Sequence, residues 1–280
     1  MKALLRRLGY DVRRLDPDAV LLQRVRRRGL MVRRIGPAEL RTHVVAHRRT
    51  TRQQANAYQN AMGSHLAHHH LLWMVRRLGI DCVLDVGANT GQFAKALRRS
   101  RYTGRIVSFE PVASIHAELV AAAASDPDWW VHQVAAGEED GTAEINVRPG
   151  TMSSLLPSSD FGRGWAPRLR ESTVETIAVR RLDGLFDEAV SGLASPRVLL
   201  KLDTQGFDLA AFRGLGARAD DVVALQSEVS CVPIYDGMPT MLEQLDAYQQ
   251  AGFALSGIFP VNREQKTLRA IEFDALMVRA

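Results

Sequence analysis

Short apolar runs alternate with helix-like segments between residues 80 and 137. The segments at 92–100 and 114–124 have apolar residues at helical spacing, and three short apolar runs flank them: CVLDVG (82–87), RIVSFEP (105–111) and WWVHQVAAG (129–137). This alternation predicts a βαβαβ unit, the building block of a parallel sheet with crossover helices.

The pattern continues towards residue 280. Strands are predicted at 197–203 and 221–230, each followed by a helical segment, and at 253–259 and 271–279. Two more strands, at 141–147 and 174–181, enclose a polar loop over 148–172 that is rich in Ser, Gly and Pro. A loop of this length is usually a functional lid or disordered. The pattern therefore predicts an α/β fold with helices on both faces of a mostly parallel sheet.

The N-terminal 50 residues differ from the rest in pattern and in charge. Glycine and proline interrupt their apolar positions, which predicts short helices or irregular structure. Residues 52–79 predict a helix that ends at Gly79. We therefore divide the chain into a basic N-terminal extension (1–50) and one domain (51–280).

Charge separates the two parts more sharply. Residues 1–60 contain 15 Lys and Arg against 4 Asp and Glu, whereas the whole chain has a net charge of only +5. The basic segment is either a solvated face or a contact for an anionic surface such as a membrane. The sequence contains no apolar run of the ~20 residues that a membrane span requires and no secretory signal, so we expect a cytoplasmic protein, peripheral to a membrane at most.

The first candidate motif is DVGANTG, from Asp85 to Gly91, where a buried strand turns into a helix. Ligands of open α/β sheets bind at this edge, and free N–H groups at a helix start attract an anion. Asp85 could accept a hydrogen bond from an ammonium group, so a ligand with an amino acid end suits the site. The spacing does not match the G-x-G-x-x-G of dinucleotide folds, and a tight turn that binds nothing is the alternative.

Glu110 ends the next predicted strand, about 25 residues after Asp85. An acid at this position can bind both hydroxyls of a ribose. A glycine-rich turn and a ribose-binding acid without a phosphate loop indicate S-adenosylmethionine. The expected cofactor-binding residues are Asp85, Gly87, Asn89, Gly91, Gln92, Glu110, Pro111 and Ala135.

Two acids end the later strands and are the candidate catalytic residues. Asp203, in KLDTQG, would remove a proton from an alcohol, directly or through a metal. Glu228 should lie on the neighbouring strand, so the two carboxylates could together bind Mg²⁺. The alternatives are that Asp203 caps the following helix and that Glu228 forms a structural pair with Lys201.

The ordered motifs DVGANTG, SFEP, Ser153-Ser154-Leu155, RRLDGL, KLDTQGFD and QSEVSCVPIYDGMP resemble those of the FkbM family of methyltransferases over residues ~80–280. Asp208 departs from the family's usual Glu and is one methylene shorter. The resemblance implies a class I methyltransferase (Rossmann-like) fold: a seven-stranded sheet with a final antiparallel strand, here preceded by an N-terminal helical extension. It also implies O-methylation of sugar hydroxyls in glycolipids, polysaccharides or glycosylated natural products, with Mg²⁺ as a further cofactor of some similar enzymes.

The sugar acceptor is expected to contact Ser153, Ser154, Trp165 and Tyr235. A nucleic-acid methyltransferase is the second interpretation, which the acidic body and the absence of an Asn/Asp-Pro-Pro-aromatic element disfavour. A catalytically inactive binding partner is the third, and the intact cofactor motif disfavours it.

Overall fold

The computed structural model describes residues 10–16, 19–24, 30–34, 40–44, 52–264 and 266–280. The chain forms two units, residues 1–65 and residues 66–280. In the described part of the first, β1 (Tyr10–Asp16) pairs antiparallel with β2 (Ala19–Arg24), and β3 (Leu30–Arg34) pairs antiparallel with β4 (Leu40–Val44).

These strands correct the prediction of short helices or irregular structure for residues 1–50. The four strands are only five to seven residues long. That length is too short for a stable helix, whereas it suffices for the strands of a hairpin. The helix predicted over 52–79 is confirmed as α1 (Arg52–Leu78).

The elements that follow α1 build the second unit. In chain order they are β5 (Cys82–Val86), α2 (Gln92–Arg99), β6 (Arg105–Phe109), α3 (Ala113–Ala123), β7 (Trp129–His132), β8 (Ala135–Ala136), β9 (Gly141–Val147), α4 (Asp160–Trp165), β10 (Thr173–Arg180), α5 (Asp183–Ala189), β11 (Val198–Leu202), α6 (Asp208–Arg213), β12 (Val222–Ser230), α7 (Met241–Gln250), β13 (Phe253–Arg263) and β14 (Ala270–Arg279).

Seven of these strands form the main sheet, in the order β13-β14-β12-β11-β5-β6-β7. β14 runs antiparallel to both of its neighbours, and the other pairs are parallel. The chain winds from β5 outwards to β7 and then returns to β11, so the strand order reverses between β5 and β11. This confirms the predicted class I methyltransferase fold and places the ligand crevice at that switch point.

Both faces of the main sheet are covered by helices. Leu71 of α1, Leu97 of α2 and Leu119 of α3 lie in one buried cluster. Phe186 of α5 and Tyr248 of α7 lie in a second cluster, on the other side of the sheet. The central strands are therefore buried on both faces, which explains their nearly continuous apolar sequences.

The strands predicted at 141–147 and 174–181 are confirmed as β9 and β10, but they do not join the main sheet. They pair antiparallel with each other, and β10 pairs parallel with β8. The segment between them contains α4 and a 3₁₀ helix (Pro167–Leu169). It is bonded to residues 233–236, for example through Ser159 N–H to the Ile234 carbonyl at 2.9 Å. In the described part of the chain, no helix is both long and apolar enough to cross a membrane.

Candidate active site

A cavity of about 330 Å³ opens at the carboxyl ends of β5, β6, β11 and β12, where the strand order reverses. It brings together most of the predicted site residues, although they are far apart in sequence. Those that line it are Gly87, Asn89, Gln92, Glu110, Pro111, Ala135, Ser153, Asp203 and Glu228. Asp85, Gly91, Ser154, Trp165 and Tyr235 are not part of its wall.

The loop after β5 approaches the end of β11 closely. Gly87 has a φ of +72°, and a Cβ on it would lie 2.0 Å from the carbonyl oxygen of Asp203. Only glycine fits this position without strain. Gly91 (φ +82°) begins α2, and a Cβ there would lie 2.7 Å from the Trp129 ring, so this glycine serves packing and the turn.

Asp85 is fully buried and pairs with a lysine instead of facing the cavity. Nζ of Lys201 lies 3.1 Å from Asp85 Oδ1, and the Ser108 hydroxyl donates to Oδ2 at 3.2 Å. Burial alone would lower the pKa of Lys201, but the carboxylates of Asp85 and Asp203 outweigh it and raise that pKa. The ammonium group that Asp85 binds therefore belongs to the protein, which differs from the expected direct contact with a ligand.

Glu110 is held by two backbone groups. Asn89 N–H donates to Oε2 at 2.9 Å, and Val112 N–H donates to Oε1 at 3.0 Å. Burial raises the pKa of this carboxyl although the two N–H groups oppose the shift. Because each oxygen has accepted one hydrogen bond and the side chain lines the cavity, both can still accept from a ligand hydroxyl.

Asp203 directly follows β11 and Glu228 lies on the neighbouring strand β12, so the two acids are adjacent as expected, because Leu202 pairs with Ser227. The side-chain amide of Gln205 links them: Nε2 donates to Asp203 Oδ1 at 3.0 Å and to Glu228 Oε2 at 3.1 Å. Burial, followed by the nearby acids, raises the pKa of Glu228 well above its ordinary value.

The segment that contains most of these site residues matches the model of a known protein family. A model described as the methyltransferase FkbM domain matches residues 85–253. The chain belongs to the FkbM methyltransferase family. No curated protein matches it.

Solved structures resemble this FkbM methyltransferase only distantly. Magnesium protoporphyrin IX methyltransferase from Synechocystis PCC 6803, with bound SAM, gives a TM-score of 0.44 at 10% identity and covers 81% of this chain and 83% of its own. An rRNA methylase from Streptococcus thermophilus gives a TM-score of 0.41 at 10% identity, and the match covers 78% of this chain and 96% of the methylase. Aeropyrum pernix fibrillarin, with natively bound S-adenosyl-L-methionine, gives a TM-score of 0.38 at 11% identity, and the match covers 71% of this chain and 66% of fibrillarin. These scores are too low for the neighbours to inform this chain's chemistry.

The alternative roles of the two acids do not match the contacts in this FkbM methyltransferase. Asp208, not Asp203, binds the turn before α6: it accepts from Thr204 N–H at 2.7 Å and from the Ser227 hydroxyl at 2.9 Å. Despite its shorter side chain, Asp208 therefore reaches both partners. Lys201 pairs with Asp85 and Asp203 and forms no ion pair with Glu228.

A magnesium site is not supported by the donor set. The Gln205 amide group lies between the two carboxylates that were expected to hold the ion. Among residues 52–264 and 266–280, no three His, Cys, Asp or Glu side chains are grouped to hold a metal. Mg²⁺ prefers several oxygen ligands in near-octahedral geometry, which an N–H donor at this position opposes.

Three of the expected acceptor-binding residues serve the protein's own structure. The Ser154 hydroxyl donates to the Gln205 carbonyl at 2.7 Å. The Tyr235 hydroxyl is buried 3.0 Å from Gln205 Oε1 and 3.1 Å from the Met152 carbonyl. Trp165 packs against a buried cluster that contains Tyr235. Of the four, only Ser153 lines the cavity.

Gln205 is the functional candidate that the sequence analysis missed. It has a left-handed φ of +55°, and its side chain bonds to Asp203, Glu228 and Tyr235. The available signal was its position in KLDTQG, two residues after the candidate base and directly before a glycine.

Proposed function

We propose that this protein is an S-adenosylmethionine-dependent O-methyltransferase that acts on a sugar hydroxyl. The observation that carries the proposal is a single cavity whose wall contains the Gly87 loop, Glu110 and the Asp203 carboxylate together. A methyl donor and an acceptor alcohol can therefore meet there.

The residues of the cofactor part fit S-adenosylmethionine. The two carboxylate oxygens of Glu110 are fixed by backbone N–H groups and remain able to accept from two ribose hydroxyls. The start of α2 offers N–H groups for a carboxylate. When bound, the cofactor supplies a methyl group on a positively charged sulfur.

Asp203 is the proposed base. Its side chain is 42% exposed, so it can reach an acceptor hydroxyl and take its proton. Lys201 Nζ, 3.6 Å from Oδ2, balances its charge, and the Gln205 amide fixes Oδ1. The raised pKa of Glu228 favours its protonated form, so the negative charge of the pair rests mainly on Asp203. Holding the hydroxyl beside the methyl donor supplies much of the acceleration. This proposal needs no metal.

Polar groups in the cavity wall support a hydroxylated acceptor. Oε1 of Gln226 is buried and has no hydrogen-bond partner within the described residues. Thr204 and Asp274 also line the cavity. A sugar, which carries several hydroxyls, can satisfy such groups, whereas an apolar acceptor would leave them unpaired.

The first test is calorimetric titration with S-adenosylhomocysteine. We expect binding in the micromolar range that Glu110→Ala abolishes and that the exposed control Glu139→Ala leaves unchanged. Equal binding by both variants, or no binding by the wild type, would contradict the cofactor assignment.

The second test is transfer of a radiolabelled methyl group to a panel of sugars, glycolipids and RNA, with and without EDTA. We expect sugar-containing acceptors to be labelled equally in both conditions, and Asp203→Asn to lose at least about a hundredfold in kcat while still binding S-adenosylhomocysteine. Labelling of RNA alone would overturn the acceptor class, and loss of labelling in EDTA would overturn the metal-free mechanism.

We also propose that the basic segment over residues 1–50 holds the enzyme at an anionic membrane surface, where glycolipid acceptors reside. The support is its charge alone. The full chain should sediment with phosphatidylglycerol vesicles and not with phosphatidylcholine vesicles, and glutamine at Arg26, Arg27 and Arg28 should weaken this binding. Unchanged sedimentation of the glutamine variant would contradict the proposal.

A further inference from the structure

Arg148 is a buried arginine directly after β9, and its side chain lacks the partner that buried charges require. The residue is only 6% exposed. Among the residues that the structure describes, its Nε has no hydrogen-bond partner, and Nη1 donates only to the Asn146 carbonyl, at 3.4 Å. The ring of Tyr235 lies 5.9 Å from the guanidinium carbon, too far for strong compensation.

No carboxylate compensates this charge. Within the described residues Arg148 forms no ion pair, and burial lowers its pKa with only the Tyr235 side chain opposing. Glu118 and Glu171 line the adjacent groove, yet neither pairs with it. By contrast, the half-buried Arg98 binds Asp126 through two nitrogens, at 2.6 and 3.3 Å.

Burying a guanidinium without a paired anion destabilises the folded state, so a buried arginine is normally paired with a carboxylate or another anion. Arg148 lines a groove of about 750 Å³ that shares Asn89, Gln92 and Thr151 with the active-site cavity. An anion that enters the groove is the missing partner that this chemistry suggests, because a guanidinium offers a planar set of donors for carboxylate or phosphate.

Ser153 favours the acceptor over the cofactor as the source of that anion: Arg148 N–H donates to the Ser153 hydroxyl at 3.0 Å, and Ser153 is the expected acceptor contact that lines the main cavity. Arg148 is not part of the wall of the main cavity. The hydroxyl of its neighbour Tyr235 lies 3.0 Å from Gln205 Oε1. The Gln205 side chain in turn donates a hydrogen bond to the base Asp203. Tyr235 and Gln205 therefore lie between Arg148 and the base.

We propose that the acceptor is anionic and that Arg148 binds its carboxylate or phosphate group in this groove. The proposal rests on the function proposed above, because it treats Asp203 as the reacting end of the acceptor site. It narrows the acceptor class to acidic sugars, such as uronic acids, or phosphorylated sugars.

The test is ligand-observed NMR, which detects millimolar binding, with glucose 1-phosphate, glucuronate and neutral glucose as probes. Wild type, Arg148→Met, Arg148→Lys and the exposed control Arg213→Met are compared, with and without S-adenosylhomocysteine. We expect at least one anionic probe to bind wild type about tenfold or more tightly than it binds Arg148→Met. Arg148→Lys should recover part of this affinity, and Arg213→Met should match wild type.

The two sources of the anion give different results. Stronger binding of glucose 1-phosphate indicates a phosphorylated acceptor, and stronger binding of glucuronate indicates an acidic sugar. If neither anion binds better than glucose, or if Arg148→Met binds both as wild type does, the proposal is wrong. Loss of S-adenosylhomocysteine affinity in Arg148→Met with unchanged anion binding would also overturn it, because Arg148 would then serve the cofactor.

Stability separates a binding role from a structural one. Removing an unpaired buried charge should leave the Tm of Arg148→Met equal to or above that of wild type. A clear drop in Tm would show that Arg148 holds the fold and would contradict the proposal. Failure of wild type to bind S-adenosylhomocysteine would contradict only the proposed function, because the anion titration without it still tests Arg148.

Discussion

A single methyl group added at Gly87 tests the close approach between the cofactor loop and β11. In Gly87→Ala the new Cβ would lie 2.0 Å from the carbonyl oxygen of Asp203 and 2.8 Å from its carbonyl carbon. The left-handed backbone costs about 1–2 kcal/mol, and the backbone contact adds about 1–3 kcal/mol of overpacking. We expect the free energy of unfolding to fall by about 2–5 kcal/mol. Binding of S-adenosylhomocysteine should weaken as well, because relief of the clash moves the loop.

Gly79→Ala is the matched control for this prediction. Gly79 also has a left-handed φ, +63°, but no atom would lie within 4 Å of its Cβ. In Gly79→Ala the free energy of unfolding should therefore fall only by the backbone contribution of about 1–2 kcal/mol. Urea denaturation followed by tryptophan fluorescence measures both variants, since every tryptophan lies in the unit 66–280: Trp73, Trp129, Trp130 and Trp165. Equal losses in the two variants, with cofactor affinity intact, would refute the close approach.

Three further predictions concern Lys201 and Gln205 of the site and the buried Glu272 of β14. Lys201→Met leaves the fully buried Asp85 carboxylate unpaired, so the free energy of unfolding should fall by about 3–5 kcal/mol in urea denaturation. The double variant with Asp85→Asn should recover part of the lost stability, and a urea midpoint of Lys201→Met equal to that of wild type would contradict the pairing. Gln205→Leu removes the amide that fixes Asp203, so kcat should fall at least about tenfold in the methyl-transfer assay with unchanged S-adenosylhomocysteine affinity, whereas loss of that affinity would count against a positioning role. Burial raises the pKa of Glu272 from 4.5 to about 7, so the folded state keeps a proton that the unfolded state releases. Stability should therefore decline as pH rises from about 4.5 through 7, and the buried Asp274, whose pKa is raised to about 6, contributes to the same decline. Glu272→Gln should reduce the decline, and a wild-type curve that rises instead would contradict the reasoning.

The main sheet could be predicted because its strands are short apolar runs separated by helical segments. The second sheet could not, although β9 and β10 were recognisable as strands. Alternation shows that a strand has two different faces, but it does not identify the neighbouring strand. In the N-terminal segment, glycines and prolines excluded long helices, and the choice between short helices and hairpins depends on pairing that no local pattern records.

The proximity of Asp203 and Glu228 could be predicted, because neighbouring parallel strands place their ends at one edge of the sheet. The roles of Asp85 and Tyr235 could not. Both are polar side chains at that edge, and the sequence does not show whether such a group faces a ligand or another residue. In the structure Asp85 binds a lysine more than a hundred residues away, and Tyr235 bonds to Gln205.

The position of β14 has a consequence for how the site is assembled. β13 precedes β14 in sequence but joins the main sheet only through it, and β14 also contributes Asp274 to the cavity wall. The last part of that wall therefore forms only when β14 inserts beside β12. Until then the nine-residue edge of β12 is open to pairing with another chain. Changes that slow the insertion of β14 should thus cause aggregation during refolding even when the finished enzyme is intact.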